Sequence, residues 1–145
     1  MPNHHDDPRP TIAICGSMSF IDEMERIALE LENLGCEALS PVREEHDLDW
    51  ASLSRPEVLA LKKSYVDIHL DKIRRADAVL IANFPKHGVE GYVGPNTLME
   101  AAFAYAARIP VVFLHDPYDQ ANGLECASIS QACVDGDAAG VLKLI

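Results

Sequence analysis

The sequence has few positive charges and no long apolar run. Twelve lysine and arginine residues stand against 23 aspartate and glutamate residues, which gives the 145-residue chain a net charge of −11. A surface that negative repels phosphate backbones, so we expect no binding to polymeric nucleic acid. No apolar segment approaches the length that crosses a bilayer, and the first residues do not contain the apolar core of a signal peptide. We therefore expect a cytoplasmic protein with no membrane partner.

Several motifs of cofactor-binding and catalytic proteins are also missing. The sequence contains neither GxGxxG nor GxxxxGK[ST] nor GxSxG, which argues against a dinucleotide site, a P-loop NTPase and a serine hydrolase. The histidines are scattered without HExxH spacing, so no metal centre is indicated, and we expect no metal and no cofactor. No CxxC pair occurs among the cysteines, which are expected to be free thiols rather than a disulfide frame or zinc site. They are Cys15, Cys36, Cys126 and Cys133.

What the chain does contain is an alternation of short apolar runs and helical patterns. Residues 1–10, which include the run HHDD, precede any such pattern and are expected to form a disordered tail. Apolar runs predict strands at 11–15, 36–40, 77–84, 109–115 and near 130–134. Four helical patterns accompany these strands. The first ends at Gly35, the second starts at a Ser54–Glu57 capping box and ends near Arg75, the third ends near Arg108, and the last starts near Asp137. The first helix is expected to bury Met24, Ile27, Ala28, Leu31 and Leu34. The segment between His115 and the fifth strand is predicted to be a long loop.

This alternation predicts an α/β fold over residues 11–145, in one domain. We expect a Rossmann-like parallel sheet of about five strands with helices on both faces. Such sheets bind ligands at the carboxyl ends of their strands, where the strand order reverses. The loops after the first, third and fourth strands are therefore the places to look for a site.

The loop after the first strand has the sequence GSMSF, from Gly16 to Phe20. Gly16 allows a ligand to approach the backbone, Ser17 and Ser19 offer hydroxyl groups, and the N-terminus of the following helix favours an anion. The alternative is a tight turn with a serine cap, which needs no ligand.

The loop after the third strand leads into a helix that contains a single acid, Glu100. Thr97 and Glu100 match the T-x-x-E capping box, so Glu100 could simply cap the helix. Against this, Gly91, Gly94 and Pro95 predict a loop of unusual, fixed shape, and alanines after Glu100 allow the helix to pack closely on the sheet or on a partner subunit. A carboxylate on such a rigid turn suits a nucleophile or general base. Pattern alone leaves these two interpretations evenly balanced.

Asp77 is the first residue of the third strand, in the run RRADAVLIAN. Ligand sites in such sheets lie at the carboxyl ends of the strands, and an acid at the amino end of a buried strand lies at the opposite edge. A local role, with the carboxylate accepting hydrogen bonds from nearby N–H groups, is the simpler interpretation. Asn83 and Phe84, at the other end of this strand, are better placed to contact a ligand.

Three stretches together resemble the nucleoside 2-deoxyribosyltransferase-like family. They are ICGSMSFIDEM, DKIRRADAVLIAN and GYVGPNTLMEAAFAYAARIPVVFL, and the similarity extends over roughly residues 11 to 115. The resemblance implies a flavodoxin-like fold and cleavage of the N-glycosidic bond of nucleosides or nucleoside 5′-monophosphates, with the sugar passing to another base or to water. It also implies a homodimer or higher homo-oligomer, as the alanine-rich helix does.

The resemblance further implies roles for individual residues. Glu100 matches the family nucleophile, and Asp77 matches a family aspartate that could orient or support the site. The residues expected to contact the sugar, its 5′ group or the base are Gly16, Ser17, Met18, Phe20, Asn83, Phe84, Tyr92, Gly94 and Asn96. Family transferases have an aspartate where this chain has Gly94-Pro95-Asn96, and the hydrolases have a richer first loop. The alternative is a nucleotide-sensing protein without turnover. Such proteins have a glycine-rich motif followed by a threonine and a glutamate, which is similar to the motif that contains Glu100 here.

Overall fold

The computed structural model describes residues 9–43 and 48–145, and the expected disordered tail lies almost entirely outside the described residues. Its five strands are β1 (Thr11–Cys15), β2 (Glu37–Leu39), β3 (Ala78–Ile81), β4 (Val111–Phe113) and β5 (Ala132–Cys133). All neighbouring strands pair in parallel, in the order β2-β1-β3-β4-β5. This is the flavodoxin-like strand order, so the predicted fold class is confirmed.

Four α-helices cover the sheet: α1 (Ile21–Asn33), α2 (Arg55–Arg74), α3 (Pro95–Ala106) and α4 (Gly123–Ile129). Short 3-10 helices occur at Met18–Phe20, Trp50–Ser52 and Ala138–Leu144. Helix α4 lies inside the segment predicted to be a loop, and that prediction is wrong. With only seven residues and a glycine as its first, α4 has too little periodic pattern to be recognised. The last helix begins after Asp137 as predicted, but it is 3-10 rather than α.

The three central strands, β1, β3 and β4, are buried on both faces because their side chains alternate between two cores. On one face, Ile12 and Ile14 pack against α1 and the C-terminal 3-10 helix. On the other, Ala13 and Cys15 join the core formed with α2, α3 and α4. A strand covered on both sides must be apolar along its whole length, as β3 is. Within the described residues, no helix is both long and apolar enough to cross a membrane.

The sequence pattern predicted the start of α2 correctly but misplaced one residue at the end of α1. The capping box of α2 is present, with the Ser54 hydroxyl accepting from the Glu57 N–H and the Glu57 carboxylate accepting from the Ser54 N–H. Helix α1 buries Met24 and its partners as predicted, but Leu34 is its C-cap residue and is 53% exposed. Leu34 follows the last helical turn, so it no longer lies on the buried stripe.

Helix α3 begins earlier than the capping-box interpretation requires. Gly94 is the N-cap residue without a side-chain cap, and Pro95 is the first helical residue. Proline is favoured at that position because its fixed φ suits a helix start and it has no N–H to satisfy. Thr97 and Glu100 consequently lie inside the helix, both buried. The interpretation of Glu100 as a helix cap is therefore wrong.

Candidate functional site

A cleft opens at the carboxyl end of β1, next to the point where the strand order reverses between β1 and β3. Its walls are the loops after β1 and β2, the middle of α2 and the first turns of α3. The lining residues are Gly16, Met18, Pro41, Val42, Lys62, Tyr65, Val66, Ile68, His69, Asn96, Met99 and Glu100. Its position agrees with the general rule for ligand sites in parallel sheets.

Glu100 is the buried acid of this cleft. It is only 6% exposed, and burial raises the pKa of its carboxyl group from 4.5 to about 7. The Cys15 thiol and the charge of Lys62 act in the opposite direction and lower this pKa. Asn96 Nδ2 donates to Glu100 Oε1 over 3.4 Å, while Oε2 lies 3.0 Å from His69 Nε2. The carboxyl group thus has one oxygen towards the start of α3 and one towards His69 of α2.

His69 projects from α2 to the same point and is 7% exposed. Burial and, to a smaller extent, the charge of Lys72 lower the pKa of its imidazole to about 4, against the Ile14 carbonyl, which raises it. The ring is therefore neutral at pH 7. Its Nε2 lies 3.5 Å from the Sγ of Cys15, the last residue of β1. Burial raises the pKa of the Cys15 thiol well above its usual value, and the nearby Glu100 adds to this.

The loops after β3 and β4 are connected by side-chain amides. Asn83 Nδ2 donates to the carbonyls of Gly91 (3.1 Å) and His115 (2.7 Å), and its Oδ1 accepts from the His115 N–H (2.9 Å). Gln120 Nε2 also donates to the Gly91 carbonyl, over 2.7 Å. Asn83 was expected to contact a ligand, but its amide hydrogens are already used within the protein. Its side chain connects the loop before α3 to the loop after β4.

Gly91 is required by this arrangement. Its φ is +66°, and a Cβ at this position would lie 2.3 Å from the carbonyl oxygen of Asp116. Only glycine tolerates both the left-handed backbone and the close approach. The expectation of a loop with a fixed, unusual shape is confirmed here.

Lys86, in the loop after β3, reaches the first loop and is a cation that the sequence did not indicate. Lys86 Nζ donates to the hydroxyls of Ser17 (2.8 Å) and Ser19 (2.7 Å). Among the described residues, Lys86 has no ion-pair partner, although the chain is strongly acidic. Ser17 also caps the 3-10 helix by accepting from the Ser19 N–H. The serine cap and an anion site are therefore compatible at this loop.

The aromatic residues expected to frame a base lie in two groups. Phe84 contacts the rings of Phe20 and His115, with centroids 5.3 Å and 6.0 Å apart. Tyr92 instead packs edge-on against His87 and covers Gly94. None of these side chains lines the cleft around Glu100. Of the residues expected to contact a ligand, Gly16, Met18 and Asn96 do line it.

Asp77 lies at the opposite edge of the sheet from Glu100. It is exposed, and its Oδ2 accepts a hydrogen bond from the Thr11 N–H over 2.8 Å. This bond joins the start of β3 to the start of β1. The structure therefore keeps Asp77 apart from the cleft.

The sequence patterns did not select the two side chains that lie beside Glu100, His69 and Cys15. Cys15 was interpreted as an ordinary buried thiol, and its burial is confirmed. The sequence feature that could have indicated His69 is its spacing from Ile73. These two residues lie four positions apart, on one face of α2, and are its buried residues. A histidine on the buried stripe of an otherwise polar helix needs a polar partner, which a search along the sequence does not reveal.

Comparison with known proteins supports the fold. No protein-family model and no curated protein matches the sequence. Among solved structures, a 2-deoxyribosyltransferase from Bacillus psychrosaccharolyticus matches with a TM-score of 0.57 and 15% identity, covering 90% of this chain and 89% of its own. A conserved protein from Enterococcus faecalis V583 matches with a TM-score of 0.46 and 14% identity, covering 94% and 87%. At this identity the first likeness shows a shared fold, and the second adds no argument.

Proposed function

We propose that this protein cleaves the N-glycosidic bond of a nucleoside, a deoxynucleoside or a 5′-monophosphate of either. The observation that supports this most is Glu100, a buried carboxyl group that faces the ligand cleft and does not cap its helix. A buried acid without a structural task is costly to keep, which is typical of functional sites. The fold shared with a 2-deoxyribosyltransferase is consistent with this activity.

In the proposed reaction, the ionised Glu100 carboxylate attacks the anomeric carbon of the sugar. A carbon–oxygen ester bond forms while the bond to the base breaks, and the base leaves with the electron pair. The leaving nitrogen then needs a proton, and Lys62 and Tyr65 line the cleft with N–H and O–H groups. Attack by a second base or by water releases Glu100 with net retention at the anomeric carbon.

The residues around Glu100 have supporting roles in this proposal. Asn96 orients Oε1 through its amide, and His69 confines Oε2, so the carboxyl group has little rotational freedom. Gly16 and Met18 provide the wall nearest the sugar. The cleft volume of about 50 Å³ is below that of typical ligand pockets. Flexible side chains such as Met18 and Met99 therefore have to shift when a nucleoside enters.

Lys86, Ser17 and Ser19 favour a 5′-monophosphate over a free nucleoside. An ammonium group and two hydroxyls near a helix start offer a phosphate several hydrogen bonds and a compensating charge. We place the 5′ group at this loop and the anomeric carbon at Glu100. Asp77, at the far edge of the sheet, is assigned a role in supporting the fold rather than in contacting the substrate.

A homo-oligomer is also part of the proposal. Ala101 and Ala104 are buried against the sheet, whereas Ala102, Ala106 and the larger Tyr105 remain exposed on α3. Small exposed residues beside a tyrosine allow a second helix to approach closely. Sedimentation equilibrium tests this, and a monomer at micromolar concentration would contradict it.

The activity is tested by incubating the purified chain with a panel of nucleosides, deoxynucleosides and their 5′-monophosphates. Chromatography then detects the free base, and a second base added to the mixture distinguishes transfer from hydrolysis. We expect release from at least one member, fastest with a monophosphate. Thermal stabilisation by a nucleotide without release of base would instead support the nucleotide-sensing alternative.

A further inference from the structure

Cys15, His69 and Glu100 place a thiol, an imidazole and a carboxyl group around one point. Each offers one ligand atom, and these three atoms lie within 4.8 Å of one another. They come from β1, α2 and α3, three elements that are far apart in the sequence. Within residues 9–43 and 48–145, this is the only group of three potential metal ligands so arranged.

Two of the three separations are close to those of a tetrahedral site. With zinc bonds of about 2.3 Å to sulfur and 2.0–2.2 Å to nitrogen and oxygen, tetrahedral angles place ligand atoms roughly 3.4–3.6 Å apart. The distance from His69 Nε2 to Cys15 Sγ is 3.5 Å, and that from Nε2 to Glu100 Oε2 is 3.0 Å. The third separation, between the Cys15 sulfur and the Glu100 carboxylate, is at most 4.8 Å.

The hydrogen bonding in this cluster is also incomplete. Glu100 Oε2 is buried and makes no hydrogen bond of acceptable geometry, even though His69 Nε2 lies close to it. A buried oxygen without a well-aligned donor is unfavourable, and a metal ion would satisfy it directly. His69 and Glu100 both line the cleft, so a fourth ligand such as water can enter from that side. Three protein ligands and one open position are typical of catalytic zinc sites.

We propose that Cys15, His69 and Glu100 bind one zinc ion, with the fourth ligand position open to the cleft. Thiolate and imidazole ligands select zinc over magnesium or calcium, which prefer oxygen. Binding requires the Cys15 thiol to release its proton to solvent, after which thiolate and carboxylate balance the two charges of the ion. A further consequence rests on the proposed function: zinc-bound Glu100 cannot attack the sugar, so zinc inhibits base release.

Cobalt provides the test, because Co²⁺ occupies zinc sites and reports a thiolate ligand by absorbance. The full chain is freed of metal with a chelator and titrated with Co²⁺ in the absence of substrate. We expect one equivalent to produce a thiolate-to-cobalt charge-transfer band in the near ultraviolet and strong visible bands of a four-coordinate ion. Added Zn²⁺ should abolish both. The measurement does not depend on glycosyl transfer, so it can succeed or fail separately from the proposed activity.

Matched variants assign the ligands. Cys15→Ser should lose the charge-transfer band, whereas Cys133→Ser, which alters a half-buried thiol elsewhere, should keep it. His69→Gln should weaken Co²⁺ binding by at least about tenfold. The histidine pair in the N-terminal HHDD run can bind cobalt, but it contributes no thiolate band. A wild-type protein without the band, or a band that survives Cys15→Ser, overturns the proposal. If Cys15→Ser does not fold, unchanged affinity and spectrum in His69→Gln overturn it equally.

Discussion

The acidic residues at the two edges of the sheet, where the strands start and where they end, differ in burial and in hydrogen bonding. At the amino edge, Asp77 is exposed and accepts a hydrogen bond from the Thr11 N–H. At the carboxyl edge, Glu100 is 6% exposed, and its Oε2 has no hydrogen bond of acceptable geometry. The sequence resemblance predicted a role at the site for both residues. Burial and hydrogen bonding thus distinguish Asp77, which stabilises the fold, from Glu100, which is buried at an energetic cost. Their positions in the sequence alone do not show this difference.

The largest expected effect is at Glu100. We expect Glu100→Gln to reduce base release at least about 1,000-fold, because the amide cannot form the glycosyl ester. The fold should survive, since the amide has nearly the same shape and removes a buried acid. The measurement is the single-turnover rate, with the melting temperature recorded in parallel. Glu32→Gln, at an exposed position of α1, is the matched control and should behave as wild type.

The next effect concerns the loop that leads into α3. Gly91→Ala should destabilise the protein by about 3 kcal/mol, because the new Cβ meets the Asp116 carbonyl and the backbone is left-handed. Gly88→Ala is the control: its φ is also positive, but nothing lies within 4 Å of the added Cβ. We expect it to lose only about 1 kcal/mol in urea unfolding. Equal losses in the two variants would show that the close approach to Asp116 contributes nothing.

A smaller, substrate-dependent effect is expected at Lys86. Lys86→Ala removes the ammonium group beside Ser17 and Ser19, so KM for a 5′-monophosphate should rise by about tenfold. KM for the free nucleoside should change little. Lys63→Ala, in a solvent-exposed ion pair on α2, controls for the loss of one positive charge. An equal rise of KM for both substrates would mean that Lys86 does not contact the phosphate.

The smallest effect is expected at the amino edge. Asp77→Ala should cost about 1 kcal/mol of stability, because the Thr11 N–H loses its acceptor. Asp77→Asn keeps an acceptor oxygen and should cost less. Both variants should retain kcat within about twofold of wild type, since Asp77 lies far from the cleft. A loss of turnover in Asp77→Asn comparable to that in Glu100→Gln would remove the distinction between the two edges.

Much of the fold could be predicted from the sequence because local signals agreed with tertiary packing. The apolar run of β3 and the Ser54–Glu57 capping box each located an element. Helix α4 was missed because it has only seven residues and starts at a glycine, a residue that normally indicates a turn. The cap assigned to Thr97 and Glu100 failed because Pro95 started the helix one turn earlier.

The site was predictable only in part, for a similar reason. The loop after β1 was correctly identified as a wall of the cleft, and the segment after β3 contributes Asn96, since the ligand rule depends on topology alone. The loop after β4 was also expected there but does not line the cleft, whereas the loop after β2, which was not selected, does. The partners of Glu100 depend on how α2 lies across the sheet. His69 is 31 residues before Glu100 in the sequence, and no local pattern relates it to Cys15 or to Glu100. Lys86 was missed because its hydroxyl partners lie in another loop, more than 60 residues away.

The hydrogen bonds that connect the loops after β3 and β4 should be insensitive to ionic strength. Asn83, Gln120 and Asn122 bond to backbone groups of these loops, and none of the three carries a charge. Added electrolyte screens charge–charge interactions but leaves neutral hydrogen bonds almost unchanged. In a chain with a net charge of −11, the support of the cleft is thus largely independent of ionic strength. Changes in substrate affinity with electrolyte concentration should therefore report on the charges that face the ligand, with the supporting loops unaltered.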